Sequence, residues 1–533
     1  MSKSKWFCLK KNSDNASIQS SISSSTSNKT LAVNELKIKA REKAVSKKLN
    51  DIKRLMEVDL CFVLDCTGTM GSHISAAKDC ILQVSNYVKH INPNIKLRVG
   101  FCGYRDHDNG IDRLLVFDFT DQYEQFTQYM QNVTPIYNLD LAEDVLGGLN
   151  AAVTQMNWQN STRVLLHICD YPPHGRRFSY LKDNHPNGDP YGLTAEDVLG
   201  RMQSNNILYF FGKITNHTDK MLEIFHDIIG EFPVFDLVGG DPLVLINKFI
   251  QATSSSITYA VSLTSTIVSS SNEINSMQRK KIIMNPNVPD WNTLSLQKGI
   301  VMWYHIPKTL DELKNPKYFD KSNLISKNFS YKVASQPFSS GVEKYAYFAL
   351  DAKSDPTKDM VIKEYLHIGK RNNPLEKYLE AVEIFTVAYF LSTQFNSIAE
   401  QKNIPKVNFL NVKFLRYNTF CFTKYYTIEP KLQNSEYKRF NANTGVITEL
   451  RPILEAFVHF TYEYTKGYLV VCDLQGIELN DDFLLTDPAI HCIDPLRFGG
   501  TNFGENGIKQ LFLANHKCND ICKKLELSHV NNE

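Results

Sequence analysis

No stretch of the chain reaches the roughly 20 apolar residues that a bilayer-spanning helix needs. The opening residues, MSKSKWFCLKKNSDN, lack the apolar run of a secretory signal. Neither sign of charge is in excess. With 59 Lys and Arg against 57 Asp and Glu, bulk charge gives no reason to expect nucleic acid as a partner. The 11 cysteines are too sparse in 533 residues to make a disulfide scaffold. There are no internal repeats. Together these absences lead us to expect a protein of the reducing cytosol, with clustered Cys and His holding metal and any contact with membrane or cytoskeleton peripheral. What is present is ordinary globular material, 43% hydrophobic and 22% charged, enough for two or three domains.

Residues 1–30 include SIQSSISSSTSNKT, a Ser/Thr-rich tract with little to bury, expected to be a disordered tail. Residues 31–56 space Leu36, Val45, Leu49, Ile52 and Leu55 among many Lys and Arg, which predicts a basic amphipathic helix. It would lie on the next domain, pair as a coiled coil or touch an anionic surface. Over 57–262, short apolar runs (VDLCFVLD, LRVGFCGY, RVLLHICD, ILYFFGKI, FPVFDLV) alternate with helix-like segments. That pattern predicts an α/β doubly wound parallel sheet covered on both faces. Residues 263–289 read as a linker. From 290 to 530 the texture is α+β: YAYFAL, DMVIKEYL, CFTKYYTIE and YLVVCDLQG look like strands and 375–399 like a long helix.

The strand VDLCFVLD ends at Asp65, and Thr67 and Thr69 follow in a turn. Ligands of doubly wound sheets bind beyond the carboxyl ends of the strands, and one carboxylate with two hydroxyls suits a hard cation such as Mg²⁺. Asp170 ends another apolar strand, and Asp140 precedes a helix. These residues resemble the von Willebrand factor A fold and its metal-ion-dependent adhesion site. The motif Asp-x-Ser-x-Ser falls on Asp65, Thr67 and Thr69, and the aspartate loops fall on Asp140 and Asp170. The resemblance implies a divalent cation and an unknown acidic protein partner that completes its shell. Relatives often carry glycines ahead of the aspartate matched by Asp140, and this chain does not.

In the second half, Lys363 lies inside an apolar strand, Asp473 and Gln475 follow another, and Asp487 sits in LLTDPAIH. Asp, Gln and Asp near strand ends can hold Mg²⁺ and orient a hydroxyl, with a lysine placed for phosphate. The chain has no His-Arg-Asp loop, no Asp-Phe-Gly, no Gly-x-Gly-x-x-Gly before Lys363 and no Walker A sequence, which excludes a conventional kinase or P-loop NTPase. In NHKCNDICKKLEL, Cys518 and Cys522 share a helix face with His516 at its entry, and His459 can supply a fourth ligand. Two imidazoles and two thiolates suit a closed structural zinc site.

The segments LEAFVHFTYEYT, VVCDLQG, LLTDP, FGGTNFGENGI and HKCNDIC, in that order, resemble the alpha-type atypical protein kinases over about 290–530. The resemblance implies a serine/threonine kinase using ATP with Mg²⁺. On it, Lys363 matches the phosphate-holding lysine and Glu429 a hinge glutamate near adenine. Asp473 matches the aspartate at the transferred phosphate, and Gln475 and Asp487 match metal-site positions. Gly499, Asn502 and Gly504 match a Gly-rich loop near peptide substrate, and His459, His516, Cys518 and Cys522 match the zinc ligands. Lys344 stands where relatives carry arginine, keeping the charge and losing the bidentate fork. The glutamate partner of Lys363 is expected on helix 375–399, at Glu380 or Glu383. The combination with an A domain resembles amoebal kinases acting on myosin heavy chain. The competing expectation is an adhesion-type scaffold whose kinase domain binds nucleotide without turnover.

Overall fold

The computed structural model describes residues 14–137, 140–239, 241–270, 283–341, 344–354, 356–365, 374–418, 423–432 and 436–530. The first unit contains α1 (Asp14–Leu55), β1 (Glu57–Asp65), α2 (Gly71–Ile91), β2 (Lys96–Tyr104), β3 (Leu114–Thr120), α3 (Tyr123–Gln131), α4 (Val145–Thr154), β4 (Thr162–Cys169), α5 (Ala195–Ser204), β5 (Ile207–Lys213), α6 (Asp219–Ile229), β6 (Val234–Asp236) and α7 (Pro242–Ser270). Its sheet has the order β3-β2-β1-β4-β5-β6, parallel except for the antiparallel edge strand β3. Successive β1 side chains point to opposite faces. Leu60, Phe62 and Leu64 pack with α2 and α7, whereas Cys61 and Val63 pack with α4 and α5. Burial on both faces is why the strand reads as an unbroken apolar run. β1 and β4 end side by side, which brings Asp65 and Asp170 to the same edge.

Two expectations change here. The Ser/Thr-rich stretch expected to be disordered is helical from Asp14, and residues 1–13 lie outside the described residues. Val45, Leu49, Ile52 and Met56 are buried at helical spacing and anchor the far end of α1. Once a helix is nucleated, each further residue adds a hydrogen bond, so a polar sequence can follow. The linker expected from 263 begins later, because α7 runs to Ser270, while 271–282 lie outside the described residues. Several of its hydroxyls bond back one turn: Ser256 to Ala252 O at 2.8 Å, Thr258 to Ser254 O at 2.9 Å and Thr264 to Ala260 O at 2.8 Å. Composition alone hides this internal satisfaction.

The second unit contains β7 (Gln297–Trp303), α8 (Leu310–Lys314), β8 (Ile325–Val333), β9 (Ser339–Ser340), β10 (Lys344–Asp351), β11 (Lys358–Tyr365), α9 (Pro374–Gln401), β12 (Val407–Phe409), β13 (Lys413–Asn418), β14 (Thr423–Pro430), β15 (Lys438–Arg439), α10 (Pro452–Tyr464), β16 (Leu469–Cys472), β17 (Gln475–Leu479), β18 (Asp482–Thr486), β19 (Ala489–Cys492), α11 (Gly504–Asn506) and α12 (Asp520–Lys524). Its first sheet runs β11-β14-β13-β7-β8-β10-β9, and β10 also pairs with β11, so six strands close into a ring. β12-β18-β17-β15 and the pair β16-β19 form the second part, around a core shared by α9 and α10.

The two units touch. Val446, Phe503 and Leu511 join the apolar core formed by α2 and α7. Asn92, at the end of α2, exchanges two hydrogen bonds with the Ile447 backbone, at 2.9 and 2.8 Å. Arg41 of α1 donates to the carbonyls of Gly499, Gly500 and Asn502 at 3.0, 3.1 and 2.6 Å. Among the described residues no helix is long and apolar enough to cross a membrane.

Candidate functional site

Lys363 lies on β11 with Thr427 of β14 opposite it, and Glu429 of β14 lies opposite Val361. Diagonal neighbours share a face, so Glu429 points at the lysine. The Nζ of Lys363 is 2.6 Å from Glu429 Oε1 and 2.5 Å from Asp487 Oδ2. Lys344, on β10, is 2.9 Å from Asp487 Oδ1. The Thr486 hydroxyl donates to Glu429 Oε2 at 3.1 Å. Two cations thus balance two carboxylates, with Lys363 and Glu429 buried and Lys344 and Asp487 half-buried. Burial opposes ionisation of Asp487, but the two ammonium groups outweigh it and hold the carboxyl well below the usual range. Burial likewise favours the neutral form of Lys363, and Asp487 and Glu429 reverse that and raise it.

The partner of Lys363 is therefore Glu429 together with Asp487, and not a residue of α9. Glu383 pairs with Arg497 at 2.7 Å, and Glu380 lies against Gly499, where a Cβ would meet its Oε2 at 2.5 Å. Both glutamates belong to the support of the Gly-rich loop. Position on a helix gave no register, whereas the β11–β14 pairing sets it.

Asp473 sits between β16 and β17 with a left-handed φ of 57°, a conformation aspartate tolerates better than most residues. Arg439 of β15 grips it, with Nε at 2.7 Å and Nη2 at 2.5 Å from Oδ1. Gln475 donates its side-chain amide to Asp487 O at 3.2 Å, tying the two loops together. In the Gly-rich loop Asn502 is fully buried. Its Oδ1 accepts from Cys492 N at 2.9 Å and Gly504 N at 2.8 Å, and its Nδ2 donates to Asp494 O and Arg497 O, both at 2.8 Å. Asn502 thus braces the loop from within. Gly499 and Gly504 have φ of 70° and 66°, which a side chain would strain.

His459 of α10 and His516, Cys518 and Cys522 around α12 converge, with all four donor atoms within 4.8 Å of one another. Cys518 Sγ is 3.8 Å from His459 Nδ1, and Cys522 Sγ is 3.7 Å from His516 Nε2. The other nitrogen of His459 faces Glu463 Oε2 at 3.7 Å. Burial, and then His459, lower His516 to about 3, so its imidazole is neutral and its lone pair free.

At the end of the first sheet, Asp65 Oδ1 accepts from Thr67 N at 2.8 Å and Thr67 Oγ1 at 2.7 Å. Thr69 faces Asp170. Asp65 Oδ2 and Asp170 Oδ1 are buried without a hydrogen-bond partner. Burial first, and the facing Asp170 second, raise Asp65 to about 8. Asp140 does not join them. Its donor atom groups with those of Asp106 and His174, and its Oδ2 accepts from Asn184 N at 2.8 Å. Its place in a loop was legible from local pattern, but not the direction that this backbone bond imposes. Sequence reasoning also missed Arg439, Asp106 and His174. Arg439 has no local signal, since it follows Lys438 on the short strand β15 among polar neighbours, and the other two lie in the strand-end loops already searched for carboxylates.

A model of the alpha-kinase family matches residues 339–522. The alpha-protein kinase vwkA of Dictyostelium discoideum is 31% identical over 514 residues, covering 92% of this chain and 81% of that protein. Myosin heavy chain kinase B of the same organism is 31% identical over 204 residues, 38% of this chain and 26% of that protein. A solved alpha kinase from Entamoeba histolytica, 26% identical, covers 45% of this chain and 94% of its own, with a TM-score of 0.38.

Proposed function

This chain belongs to the alpha-kinase family, and on that premise we propose that its second unit transfers the terminal phosphoryl group of ATP to serine or threonine hydroxyls of a protein. The observation that carries the reading is the ion array of Lys363, Lys344, Glu429 and Asp487 beside the Arg439–Asp473 pair. Phosphoryl transfer asks for placed positive charge and an oriented nucleophile. Lys363 and Lys344 hold that charge ready, neutralised by Asp487 until phosphate oxygens compete for the two ammonium groups. Asp473, fixed by Arg439, accepts the hydrogen bond of the attacking hydroxyl and then its proton. The hydroxyl oxygen bonds to the γ-phosphorus as the bond to the bridging oxygen breaks and ADP leaves. The Asp487 carboxylate and the Gln475 amide are hard donors suited to Mg²⁺, provided a lysine yields one Asp487 oxygen. Bound there, Mg²⁺ offsets charge on the phosphates.

The four-residue cluster supports structural zinc. A tetrahedron with Zn–S of about 2.3 Å and Zn–N of about 2.0–2.1 Å has S···N edges of roughly 3.5–3.6 Å, and the two S···N separations of 3.8 and 3.7 Å lie close above them. Glu463 then orients His459 through its second nitrogen. The first unit we read as a von Willebrand A-like binding module for an acidic protein group. The support is its strand order and the two donor-less carboxylate oxygens of Asp65 and Asp170, with Thr67 and Thr69 alongside. A protein substrate of the myosin heavy chain class is suggested by one relative's name alone. A cytoplasmic, cytoskeleton-associated setting follows from that reading.

The test is autophosphorylation and phosphorylation of a generic basic protein with Mg-ATP, followed by phosphoamino-acid analysis, beside Asp473→Ala. Transfer to serine or threonine by the wild type and none by the variant is the expected result. Absence of transfer from both, with ATP still bound, establishes the scaffold reading instead. The occupied oxygens of Asp487 and the lysine at position 344 are the features that would favour it.

A further inference from the structure

Three loops at the carboxyl edge of the first sheet bring together a second set of donor atoms, apart from Asp65 and Asp170. Asp106 follows β2, Asp140 precedes α4 and His174 follows β4. One donor atom from each lies within 4.8 Å of the other two, and the residues are only 1%, 6% and 2% exposed. His174 Nε2 is 2.9 Å from Asp106 Oδ1, and its Nδ1 is 2.7 Å from Asp183 Oδ1. Asp183 is itself fixed, accepting from the backbone N–H groups of Gly175 and His185, both at 2.7 Å. Asp140 Oδ1 is buried with no hydrogen-bond partner, and an Asp140 carboxylate oxygen is the donor atom that joins this cluster.

An imidazolium bridging Asp106 and Asp183 would account for two of the carboxylates. It leaves Asp140 Oδ1 without a donor, and a buried carboxylate oxygen in that condition is costly unless a cation or a proton meets it; burial and the facing Asp106 raise Asp140 in the ion-free chain. The neighbouring group of His107, Asp144 and Asp189 is of another kind. His107 Nδ1 lies 3.3 Å from Arg113 Nη1 and accepts from it, so Nε2 carries the proton and cannot ligate.

We propose that Asp106, Asp140 and His174 bind a divalent transition-metal ion, with Asp183 as the positioning residue that holds the imidazole. One imidazole with two carboxylates suits borderline ions such as Zn²⁺. The carboxylate on the far nitrogen fixes the tautomer that leaves Nε2 free to ligate. Three protein ligands keep a coordination position open, as in sites that bind an exogenous oxygen donor. The first unit would then carry two ion sites on one sheet edge.

The experiment is equilibrium dialysis of the full chain against micromolar Zn²⁺ with the metal counted by plasma mass spectrometry, circular dichroism verifying the fold. Wild type should hold one more zinc per chain than His174→Ala or Asp140→Asn. Asp65→Asn should keep that extra equivalent. Asp183→Asn should keep it with affinity weakened about 10–100-fold, an effect a merely structural ion pair would not produce. If His174→Ala does not fold, the near-isosteric Asp140→Asn decides. Equal zinc in wild type and Asp140→Asn overturns the proposal.

Discussion

Acid should weaken the second unit through one histidine. His491 on β19 is 2% exposed, and two backbone groups fix its neutral tautomer. Its Nε2–H donates to Asn443 O at 2.7 Å, and its Nδ1 accepts from Phe503 N at 3.2 Å. A second proton would land on Nδ1, against an N–H. Burial accordingly lowers His491 from 6.5 to about 4. Above 6.5 both folded and unfolded chains hold it neutral and its contribution is complete. As pH falls from 6.5 towards 4 only the unfolded chain takes up the proton, so stability is lost. About two and a half pH decades at about 1.4 kcal/mol each give a full loss of about 3.5 kcal/mol, of which about 3 kcal/mol has accrued at about pH 4, where the folded ring is half-protonated. The comparison is wild type against His491→Gln, which keeps a donor and an acceptor and does not titrate. Urea unfolding at a series of pH values yields the difference in stability, from which the other titrating groups cancel. That difference should fall by about 3 kcal/mol between about pH 7 and pH 4. A difference constant to within about 1 kcal/mol, or one that grows in acid, refutes the reasoning. Because the ring stacks on Phe503 at 5.1 Å and abuts Gly507, the Gly-rich loop should loosen over the same range.

Other consequences follow from the ion network, the sulfur cluster and the contact between units. Asp487→Asn leaves two lysines facing one carboxylate and should destabilise the second unit by about 3–5 kcal/mol in urea. Adding Lys344→Met should restore about 1–3 kcal/mol, and strict additivity of the two changes would remove the coupling. Cys518→Ser with Cys522→Ser, or a strong chelator, should lower the melting temperature together with the zinc content, and loss of zinc with unchanged melting would separate metal from folding. Arg41→Ala should speed amide hydrogen exchange across residues 499–504, and unchanged exchange would show that its three bonds do not restrain the loop.

The strands were legible where burial on both faces makes an unbroken apolar run, as in β1 and β4. β3 was not, since its sequence LLVFDFT carries a weaker pattern at a sheet edge. The grouping of His516, Cys518 and Cys522 could be read from helical spacing and thiolate chemistry, whereas the distant His459 was a candidate that the family resemblance selected. Pairing across strands could not. Lys363 meets Glu429 because of an antiparallel register that local pattern does not encode, and α9 drew the expectation away. Asp140 was assigned to Asp65 because both lie at one sheet edge, but the edge holds two clusters and a single backbone bond from Asn184 decides between them. The helical Ser/Thr tracts failed for a different reason: composition counts hydroxyls as solvent-seeking, and in α7 those of Ser256, Thr258 and Thr264 are satisfied one turn back.

The grip of Arg41 on the Gly-rich loop also sets an order in time. Its acceptors lie 458 to 461 residues further along the chain. At the usual pace of synthesis, about 5–20 residues per second, the helix emerges roughly 20–90 s before the loop exists. Through that interval Val45, Leu49 and Ile52 can already settle on the first sheet, while the guanidinium has only water to hold. The Gly-rich loop, like Val446, Phe503 and Leu511 of the shared core, is thus fastened to a surface that was made long before it.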